Sequence, residues 1–592
     1  MKKLITGLVC MAELFVWAGQ GYSATASQDY IQQQIIKQQE QERQYLENQR
    51  SILELKKEKS LKDRHEDAQE EQKTEETPPD FPDLEYREQE YKFDKIELFG
   101  NKKISSRRLE KNVIKQFIGK SINRENVSLL QSKISEYYIK RGYAGVKVYF
   151  DQKQIKVFEN KETGKQETSF GVVIEEGLID KIILEKNVKN KKEKSVSKFA
   201  QLRRNISLFS AFPFQTGKIF NINVFEQGLD QMNRLQSNSV TMEIRPSSSK
   251  ISGSSDIIII NNQNSLEGGV LSGTRTTFLS ASYNNGGSKS TGEQVINLSL
   301  NQDNLFSFND NIYISYTENA DSLFNLDRKE SGVSYGQSHN YKDFDFFNND
   351  DGKKRFSKAL YGALSLPLGY WNFNLALNYS SYKSTAEGQN TIFHITGKTL
   401  IQTYSIERTI LKKRAYKVNV GGAAEVNDTE SYLRDVKSET GSARKSSLSL
   451  YLNNTLYTKF GTFMIKPSYQ KGLNWFGAKS DSSVYPDGRM SDSDPKLQYD
   501  LLKMYLYFGT QFRVPFLASV KKAPIYYTLT MDGQYSFDSL YGSQQFSAGG
   551  QYTVRGFKES VISGDNGFYA RNDLKISVFN FLPESISGAG FM

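Results

Sequence analysis

The sequence predicts a mainly β fold, in which a transmembrane antiparallel β-barrel is preceded by two smaller α+β modules. Three observations support this prediction. The 592 residues include 34 Tyr and 37 Phe, yet the mean hydropathy is −0.58, as expected for strands whose apolar residues alternate with polar ones. The order strand, helix, helix, strand, strand occurs twice between residues 91 and 262. From residue 263 onward, apolar and polar residues alternate with a period of two.

The N-terminus has the features of a secretory signal peptide. Two lysines precede the apolar stretch Leu4–Trp17, and small residues at Ala24–Ala26 offer a cleavage site. We therefore predict that residues 1–26 direct export and are removed. The single cysteine, Cys10, lies in this segment, so we expect neither a disulfide nor a thiolate metal site in the exported chain.

A polar helix and a linker are predicted next. Residues 27–57 are rich in Gln and contain neither Gly nor Pro, and their sparse apolar stripe includes Ile31, Ile35 and Leu46. Such a helix has too few apolar residues for a hydrophobic core, so it must be solvated, in a coiled coil, or inside a polar cavity. Residues 58–90 carry mixed charge and three closely spaced prolines, which is typical of a linker.

Two consecutive modules with one order of elements follow. Residues 91–176 begin with an alternating strand that ends at Gly100-Asn101, and two helical patterns and two strands come after it. Residues 177–262 repeat this order, with Asn223 as the predicted cap of the second helix and Glu226 completing a capping box. Two segments of ~85 residues with the same order indicate an internal repeat.

The segment 263–592 shows the alternation expected of membrane strands. Trp371 and Phe373, for example, alternate with Asn372 and Asn374. Apolar residues on one face and Asn, Ser and Thr on the other favour an exterior in contact with lipid and a polar lumen. Because lipid offers no partner to unpaired backbone groups, such strands must close into a barrel. A soluble β-sandwich adhesin is the alternative, since its strands alternate as well.

The sequence does not support a catalytic or a nucleic-acid-binding function. The 77 basic and 67 acidic residues are interspersed, which is typical of a solvated surface rather than of a nucleic-acid-binding protein. The three histidines, His65, His339 and His394, do not have the spacing of metal ligands. No phosphate-binding loop, dinucleotide fingerprint or nucleophile elbow occurs. We therefore expect no enzyme activity, no cofactor, no metal and no nucleic-acid partner.

The second helix of the second module carries a family motif. Residues Phe225–Leu235, followed by Met242–Pro246, resemble the second polypeptide-transport-associated (POTRA) domain of the TpsB family. This family comprises the outer-membrane transporters of two-partner secretion, of the haemolysin and filamentous haemagglutinin type. Asp303-Asn304 and Asn309-Asp310, near the start of the predicted barrel, also follow the family pattern. The POTRA signature residues are Glu226, Gln227, Gly228, Leu229, Arg234 and Leu235.

A second motif lies near the C-terminus and comprises Val554, Arg555, Gly556 and Phe557. It resembles the Val-Arg-Gly-Tyr/Phe loop of the wider Omp85 superfamily, which folds back into the lumen. The resemblance implies that Arg555 pairs with an aspartate of a Phe-x-Asp-x-Gly motif on the next strand. Phe591 fits the start of that motif and Met592 follows it. We therefore expect that aspartate and the C-terminal strands of a sixteen-stranded barrel to be missing.

The resemblance to the TpsB family implies a pore in the outer membrane of a Gram-negative bacterium. Such a pore recognises one large, unfolded TpsA-type exoprotein (an adhesin, haemolysin or contact-dependent toxin) through periplasmic POTRA domains and moves it to the cell surface. The helix at residues 27–57 would plug the lumen until transport begins. Further expected partners are outer-membrane lipid, the barrel assembly machinery and periplasmic chaperones. An Omp85-type assembly factor that inserts barrel proteins is the alternative function.

Overall fold

A computed structural model of the chain describes two modules, one large sheet and part of the N-terminal helix. Residues 41–48, 50 and 52 are helical and form α1. The predicted signal peptide (1–26) and linker (58–90) lie outside the described residues. No helix in the described part of the chain is long and apolar enough to cross a membrane. Besides α1, the structure describes residues 91–159, 166–186, 198–249, 253–261, 276–288, 290–320, 355–387, 392–413, 415–433, 436–438, 441–484, 490–491, 493–512, 525–556 and 561–576.

The first module is a three-stranded sheet with two helices. Its elements are β1 (Lys95–Phe99), α2 (Ser106–Asn112), a 3₁₀ turn (Ile114–Gln116), α3 (Arg124–Ile139), β2 (Lys147–Glu159) and β3 (Gln166–Glu175). The strand order is β1-β3-β2, with β1 parallel and β2 antiparallel to β3. The Asn123 side chain caps α3 by accepting a hydrogen bond from Asn126 N at 2.8 Å. Apolar residues of α3, including Leu130 and Ile134, pack with Val172 of β3 in one core.

The second module repeats the first. Its elements are β4 (Leu178–Lys186), α4 (Lys198–Ala211), α5 (Ile222–Asn233), β5 (Val240–Pro246) and β6 (Ser254–Asn261). The strand order is β4-β6-β5, with β4 parallel and β5 antiparallel to β6. Both modules therefore have the same element order, strand order and strand directions, which confirms the predicted repeat.

The cap of α5 differs from the prediction. Asn221, rather than Asn223, is the capping residue, and its Oδ1 accepts a hydrogen bond from Asn223 N at 3.0 Å. The helix begins at Ile222, whose backbone N–H donates to Gly142 O of the first module at 2.8 Å. This contact between modules satisfies a donor at the helix start that a helix leaves unpaired, and local sequence gave no sign of it.

The C-terminal part of the chain forms one large antiparallel sheet of twelve successive strands. These strands are β7 (Thr277–Asn284), β8 (Val295–Asp303), β9 (Asn311–Asn319), β10 (Phe356–Leu368), β11 (Trp371–Glu387), β12 (Ile392–Lys413), β13 (Tyr416–Leu433), β15 (Ala443–Thr458), β16 (Gly461–Leu473), β17 (Asp500–Phe512), β18 (Ile525–Ser536) and β21 (Gly567–Ile576). The short strand β14 (Val436–Lys437) pairs with β13, and β19 (Phe546–Ala548) pairs with β20 (Ile562–Gly564) in a separate ribbon. A short helix, α6 (Asp481–Val484), lies between β16 and β17.

The two faces of this sheet differ as the alternation predicts. Leu298 of β8 is 50% exposed, whereas its neighbour Asn297 donates hydrogen bonds to Ser315 and Thr317 of β9 at 2.8 Å. Similar bonds between polar side chains continue across β10, β11 and β12 through Ser365, Asn374 and Ser405. One face is therefore apolar and exposed, and the other is polar and hydrogen-bonded.

The sheet curves around α1. Arg50 of α1 donates to Asn311 of β9 at 3.1 Å, near one end of the strand order. At the other end, the guanidinium of Arg571 in β21 lies 5.6 Å from the ring centre of Tyr45 in α1. Contacts on both sides place α1 on the concave polar face, which we call the lumen. No ladder joins β7 to β21 within the described residues, so the predicted closure of the barrel is not seen there.

Candidate functional site

One end of α1 is held in the lumen by apolar contacts. Ile52 is 6% exposed and packs against side chains of β15, β16 and β17. Its partners in this small cluster are Tyr457, Met464, Tyr505 and Tyr507. The cluster contains one residue of α1, in keeping with the sparse apolar stripe in the sequence.

Most of the other contacts of α1 are polar. The guanidinium of Arg43, which is 8% exposed, lies 3.3 Å from a carboxylate oxygen of Glu425 in β13 and 3.2 Å from Glu47 in α1. Two further hydrogen bonds join Gln41 to Ser547 Oγ (3.0 Å) and Arg50 to Asn311 Oδ1 (3.1 Å). Water can replace each of these contacts, so the helix can leave the lumen without losing them to an apolar environment.

Glu42 is the carboxyl group of α1 most affected by enclosure in the lumen. Its Oε1 accepts a hydrogen bond from Thr317 Oγ1 of β9 at 3.0 Å. Removal of water from around the carboxyl raises the pKa of Glu42 above its usual range, and the Thr317 bond lowers it in part. Binding of α1 in the lumen is therefore coupled to protonation of Glu42.

The loop at residues 549–556 lies beside α1. The ring of Tyr552 is centred 4.9 Å from the ring of Tyr45 in α1. Within the loop, Thr553 Oγ1 accepts a hydrogen bond from Gly549 N and donates one to Gly549 O, both at 2.8 Å. These contacts place the loop in the lumen, on the same side of the sheet as the helix.

The structure gives Arg555 of this loop a partner within the chain. Arg555 Nη2 lies 2.9 Å from Asp573 Oδ1 on β21. The expectation that Arg555 has no aspartate partner within the chain is therefore wrong. The partner is Asp573, and not the aspartate of a Phe-x-Asp-x-Gly motif that the resemblance implied. Of the other motif residues, Val554 is half-buried and Gly556 is exposed, and Phe557 lies outside the described residues.

Asp573 also pairs with a second arginine. Arg571 Nε lies 3.0 Å from Asp573 Oδ2, and Arg571 Nη1 donates to Tyr552 O at 3.0 Å. Because Arg571 also lies over the ring of Tyr45, Asp573 connects the loop, β21 and α1 through two arginines. Alternation along the strand could have revealed this partner, since residues 569, 571, 573 and 575 all line the lumen.

The helix α5 attaches the second module to one end of the large sheet. Arg234 donates to Ser365 Oγ of β10 and, at 3.0 Å, to Asn309 O in the turn between β8 and β9. Further contacts join Gln227 to Thr409 Oγ1 (3.5 Å), Gln231 to Gly369 O (3.3 Å) and Asp230 to Lys412 in an ion pair. The signature residues Gln227 and Arg234 thus serve the junction between module and sheet.

Gly228 permits close packing of the two helices in the second module. A Cβ atom at this position would lie 2.2 Å from Phe212 Cε1 and 2.7 Å from Ala211 O. Such distances are shorter than any van der Waals contact, so a larger residue would force α4 and α5 apart. The signature glycine is therefore explained by packing.

The remaining signature residues divide between core and junction. Leu229 packs with Phe225 in the core of the second module, and Leu235 is 1% exposed. The carbonyl oxygen of Glu226 accepts a hydrogen bond from Lys412 Nζ at 3.1 Å, so this residue contributes through its backbone. One short sequence therefore specifies both the fold of the module and its attachment to the sheet.

The turn at residues 304–310, between β8 and β9, has an unusual backbone. Three non-glycine residues in it have positive φ angles: Asn304 (53°), Ser307 (67°) and Asn309 (53°). The carboxylate of Asp310 accepts hydrogen bonds from Phe306 N at 3.0 Å and Phe308 N at 3.1 Å, which stabilises this backbone.

The same turn forms hydrogen bonds with α4. Asn309 Nδ2 donates to Ser210 Oγ at 2.7 Å, and its Oδ1 accepts from Ser207 Oγ at 2.8 Å. Beside the turn, Asp303 Oδ2 accepts from Ser237 N at 2.8 Å. Asp303, Asn309 and Asp310 are fully buried. These contacts explain the Asp-Asn and Asn-Asp pairs of the sequence, which shape the turn and bind the module.

The lumen encloses a cavity of about 560 Å³ between α1, the strands and the loop. Polar side chains such as Asn374, Glu425 and Asn453 line it. In the described part of the chain, no group of three or more His, Cys, Asp or Glu residues could hold a metal ion. The many polar side chains in its lining distinguish this cavity from the mostly apolar pockets that bind small molecules.

Comparison with known families matches both modules and the large sheet. Residues 253–590, more than half of the chain, match the haemolysin secretion/activation protein family ShlB/FhaC/HecB. Residues 183–246 match a POTRA domain, and residues 91–157 match the ShlB-type POTRA domain. The matches to POTRA domains lie within the two repeated modules.

Similar proteins are about a quarter identical to this chain over the aligned residues. The outer membrane transporter CdiB of Dickeya dadantii (strain 3937) is 27% identical over 464 residues, which cover 77% of this chain and 67% of the relative. CdiB of Escherichia coli O6:K15:H31 (strain 536 / UPEC) is 27% identical over 63% of this chain and 54% of the relative. The hemolysin transporter protein ShlB of Serratia marcescens is 23% identical over 77% and 67%. The chain thus spans about half to two thirds of these relatives.

Two solved structures share the fold. CdiB from Escherichia coli has a TM-score of 0.63 and 22% sequence identity, with 89% of this chain and 83% of the other covered. CdiB from Acinetobacter baumannii has a TM-score of 0.56 and 18% identity, with 89% and 85% covered. Together with the repeated modules and the polar lumen, the family match shows that the chain belongs to the haemolysin secretion/activation protein family ShlB/FhaC/HecB.

Proposed function

We propose that this protein is an outer-membrane transporter that secretes one large partner protein, as in two-partner secretion. The observation that carries this proposal is a polar lumen, occupied by a helix held mainly through polar contacts, with two POTRA modules attached at one end. Relatives that are named outer membrane transporter and hemolysin transporter protein support it. The modules would lie in the periplasm and the partner would leave at the cell surface.

The POTRA modules would bind the partner before transport. β2 and β5 are edge strands, each paired with one neighbour among the described residues. An unfolded exoprotein of the TpsA type can add a strand to such an edge, where backbone hydrogen bonds give affinity and side-chain pockets give selectivity. The barrel assembly machinery and periplasmic chaperones would act during biogenesis of the transporter.

The helix α1, which belongs to the segment 27–57, would act as a plug in the lumen. Ile52 supplies its apolar contact, and Gln41, Glu42, Arg43 and Arg50 supply polar ones. An extended chain carries backbone donors and acceptors that can replace these polar contacts. Entry of the partner would therefore displace the helix without exposing a large apolar surface.

A secretion assay tests this function. Cells that produce the transporter together with the exoprotein encoded beside it should release the exoprotein into the medium. Deletion of residues 91–176 should abolish release and leave the outer-membrane level of the transporter unchanged. Continued release would refute partner recognition by the first module. Loss of other outer-membrane proteins, with release intact, would instead support the alternative of an assembly factor.

A further inference from the structure

The helix α4 of the second module has three distinct faces. One face packs on the core of the module through Ala211. A second bonds to the turn at residues 304–310, where Arg203 Nε donates to Ser307 Oγ at 2.6 Å and Ser207 bonds to Asn309. The third face carries apolar residues at helical spacing, of which Phe199, Leu202 and Phe209 are 69%, 55% and 42% exposed.

Neighbouring segments extend this third face. Phe214 is 74% exposed, and its ring is centred 5.3 Å from that of Phe209. Leu305 and Phe306, in the turn that α4 contacts, are 50% and 55% exposed. We call this surface the aromatic ledge, and it comprises Phe199, Leu202, Phe209, Phe214, Leu305 and Phe306. Exposed apolar residues that are grouped in this way indicate an interaction site.

The backbone at Phe214 is strained in a way that exposes its ring. Phe214 has a φ of 56°, a left-handed conformation that bulky residues rarely adopt. Such strain persists only where the surrounding structure enforces it, and it clusters at functional sites. An aromatic ring held outward by a strained backbone points to a contact outside the module.

The charge of α4 identifies the kind of partner. The helix contains Lys198, Arg203 and Arg204 and no acidic residue, so its net charge is +3. A helix with basic residues, Phe and Leu on an exposed face is typical of one that lies in a membrane interface. Basic residues at such a surface attract anionic headgroups.

The position of the ledge agrees with this assignment. The turn at residues 304–310 joins β8 and β9, whose exposed apolar residues include Leu298 and Ile314. These residues belong to the face of the sheet that meets lipid, and aromatic residues commonly border such a band. The ledge thus continues the lipid-contacting surface onto the second module.

We propose that the aromatic ledge and α4 lie in the headgroup region of the periplasmic leaflet and bind anionic phospholipid. The second module would then be attached to the membrane as well as to the sheet, while the first module stays free to meet the secreted partner. This inference rests on the proposed membrane location, which the experiment tests separately.

Lipid contact can be measured with fluorophores on single cysteines in the full chain. In a Cys10→Ser background, Phe199→Cys and Phe214→Cys are labelled with a nitrobenzoxadiazole dye and reconstituted in vesicles of phosphatidylethanolamine and phosphatidylglycerol. Lipids that carry a nitroxide near the headgroup quench dyes in contact with them. Leu298→Cys reports insertion of the sheet. Ile183→Cys is the matched control, since it is exposed on the face of β4 opposite the helices.

Both ledge labels should be quenched about twofold, as the Leu298→Cys label should be, and the Ile183→Cys label should keep its emission. Replacement of phosphatidylglycerol by phosphatidylcholine, or Lys198→Glu with Arg204→Glu, should reduce the quenching of the ledge labels. Ledge labels that behave like Ile183→Cys in vesicles where Leu298→Cys is quenched would overturn the proposal. Emission that responds to protein density or to added exoprotein, but not to nitroxide lipid, would also overturn it. Absence of quenching at Leu298→Cys would contradict the membrane location, and with it this inference.

Discussion

Asp573 of β21 lies 2.9 Å from the guanidinium of Arg555 in the lumen loop. It also pairs with Arg571 on its own strand, at 3.0 Å. The Arg555 side chain is 57% exposed and that of Arg571 is 13% exposed. Exposed ion pairs contribute ~0–1 kcal/mol to stability, so the Arg555 pair orients the loop rather than stabilising the sheet. The loop position therefore depends on β21, which follows the loop in sequence after the short strand β20.

We predict that Arg555→Ala impairs secretion of the partner while the transporter still reaches the outer membrane, because strand pairing does not depend on the loop. Asp573→Asn should impair secretion more strongly, since it weakens the pairing of both Arg555 and Arg571. Immunoblots of the medium and of outer membranes measure the two quantities. Equal secretion by Asp573→Asn and wild type would contradict this role of the carboxylate. Lys575→Ala, on the same strand, is the control.

Loss of a polar contact of α1 should open the pore. Arg43→Ala removes the ion pairs with Glu425 and Glu47, so the helix should leave the lumen more often. Single-channel recordings in planar bilayers should show longer open periods, and deletion of residues 28–57 should give a permanently open channel. Lys95→Ala, which removes an ion pair within the first module, should not change conductance. Unchanged conductance after the deletion would argue against a plug.

Plugging should weaken as the pH rises. Enclosure raises the pKa of Glu42 above its ordinary value of 4.5, so protonation favours the bound helix. Below pH 4.5 the carboxyl is protonated whether the helix is bound or free, and the helix is held best there. As the pH rises through the raised pKa, the enclosed carboxylate becomes charged and disfavours the bound state. Channel opening should therefore increase with pH over this window.

Glu42→Gln tests this coupling, because the amide keeps an acceptor for Thr317 and cannot ionise. Recordings across the pH window should show that this variant stays plugged where the wild type opens. Glu47→Gln is the matched control, because Glu47 lies on the same helix and its side chain is 37% exposed. If Glu42→Gln keeps the pH dependence of the wild type, the titrating group lies elsewhere.

Gly228→Ala should destabilise the second module. The added methyl group would collide with Phe212 and with the Ala211 carbonyl, and overpacking of this kind costs ~1–3 kcal/mol. Thermal unfolding followed by the helical circular dichroism signal should show an earlier transition. Gly362→Ala, where an added Cβ would meet nothing within 4 Å, should unfold like the wild type. A stable Gly228→Ala protein would show that α4 and α5 can separate without cost.

Periodicity in the sequence was sufficient to predict the helices and strands and their order along the chain. The two modules could be predicted because each helix repeats apolar residues on one face and each strand alternates, which are local properties. The polar lumen could be predicted for the same reason, since Asn372 and Asn374 alternate with Trp371 and Phe373. The cap of α5 was misplaced by two residues because Asn221 and Asn223 are both suitable caps. In the structure Asn221 is the cap, and the first helical residue, Ile222, bonds to Gly142 of the other module.

The sequence by itself thus determined the repeated modules, the alternating strands and the family to which the chain belongs. Only the tertiary structure decided which residues those motifs bring together. It gave Arg555 its partner Asp573, and it placed Arg234 and Asn309 at one junction. The physical reason is that alternation assigns a residue to a face of its own strand, whereas pairing across the lumen depends on how the whole sheet curves. That curvature results from the register and twist of many strands together, which no local pattern contains.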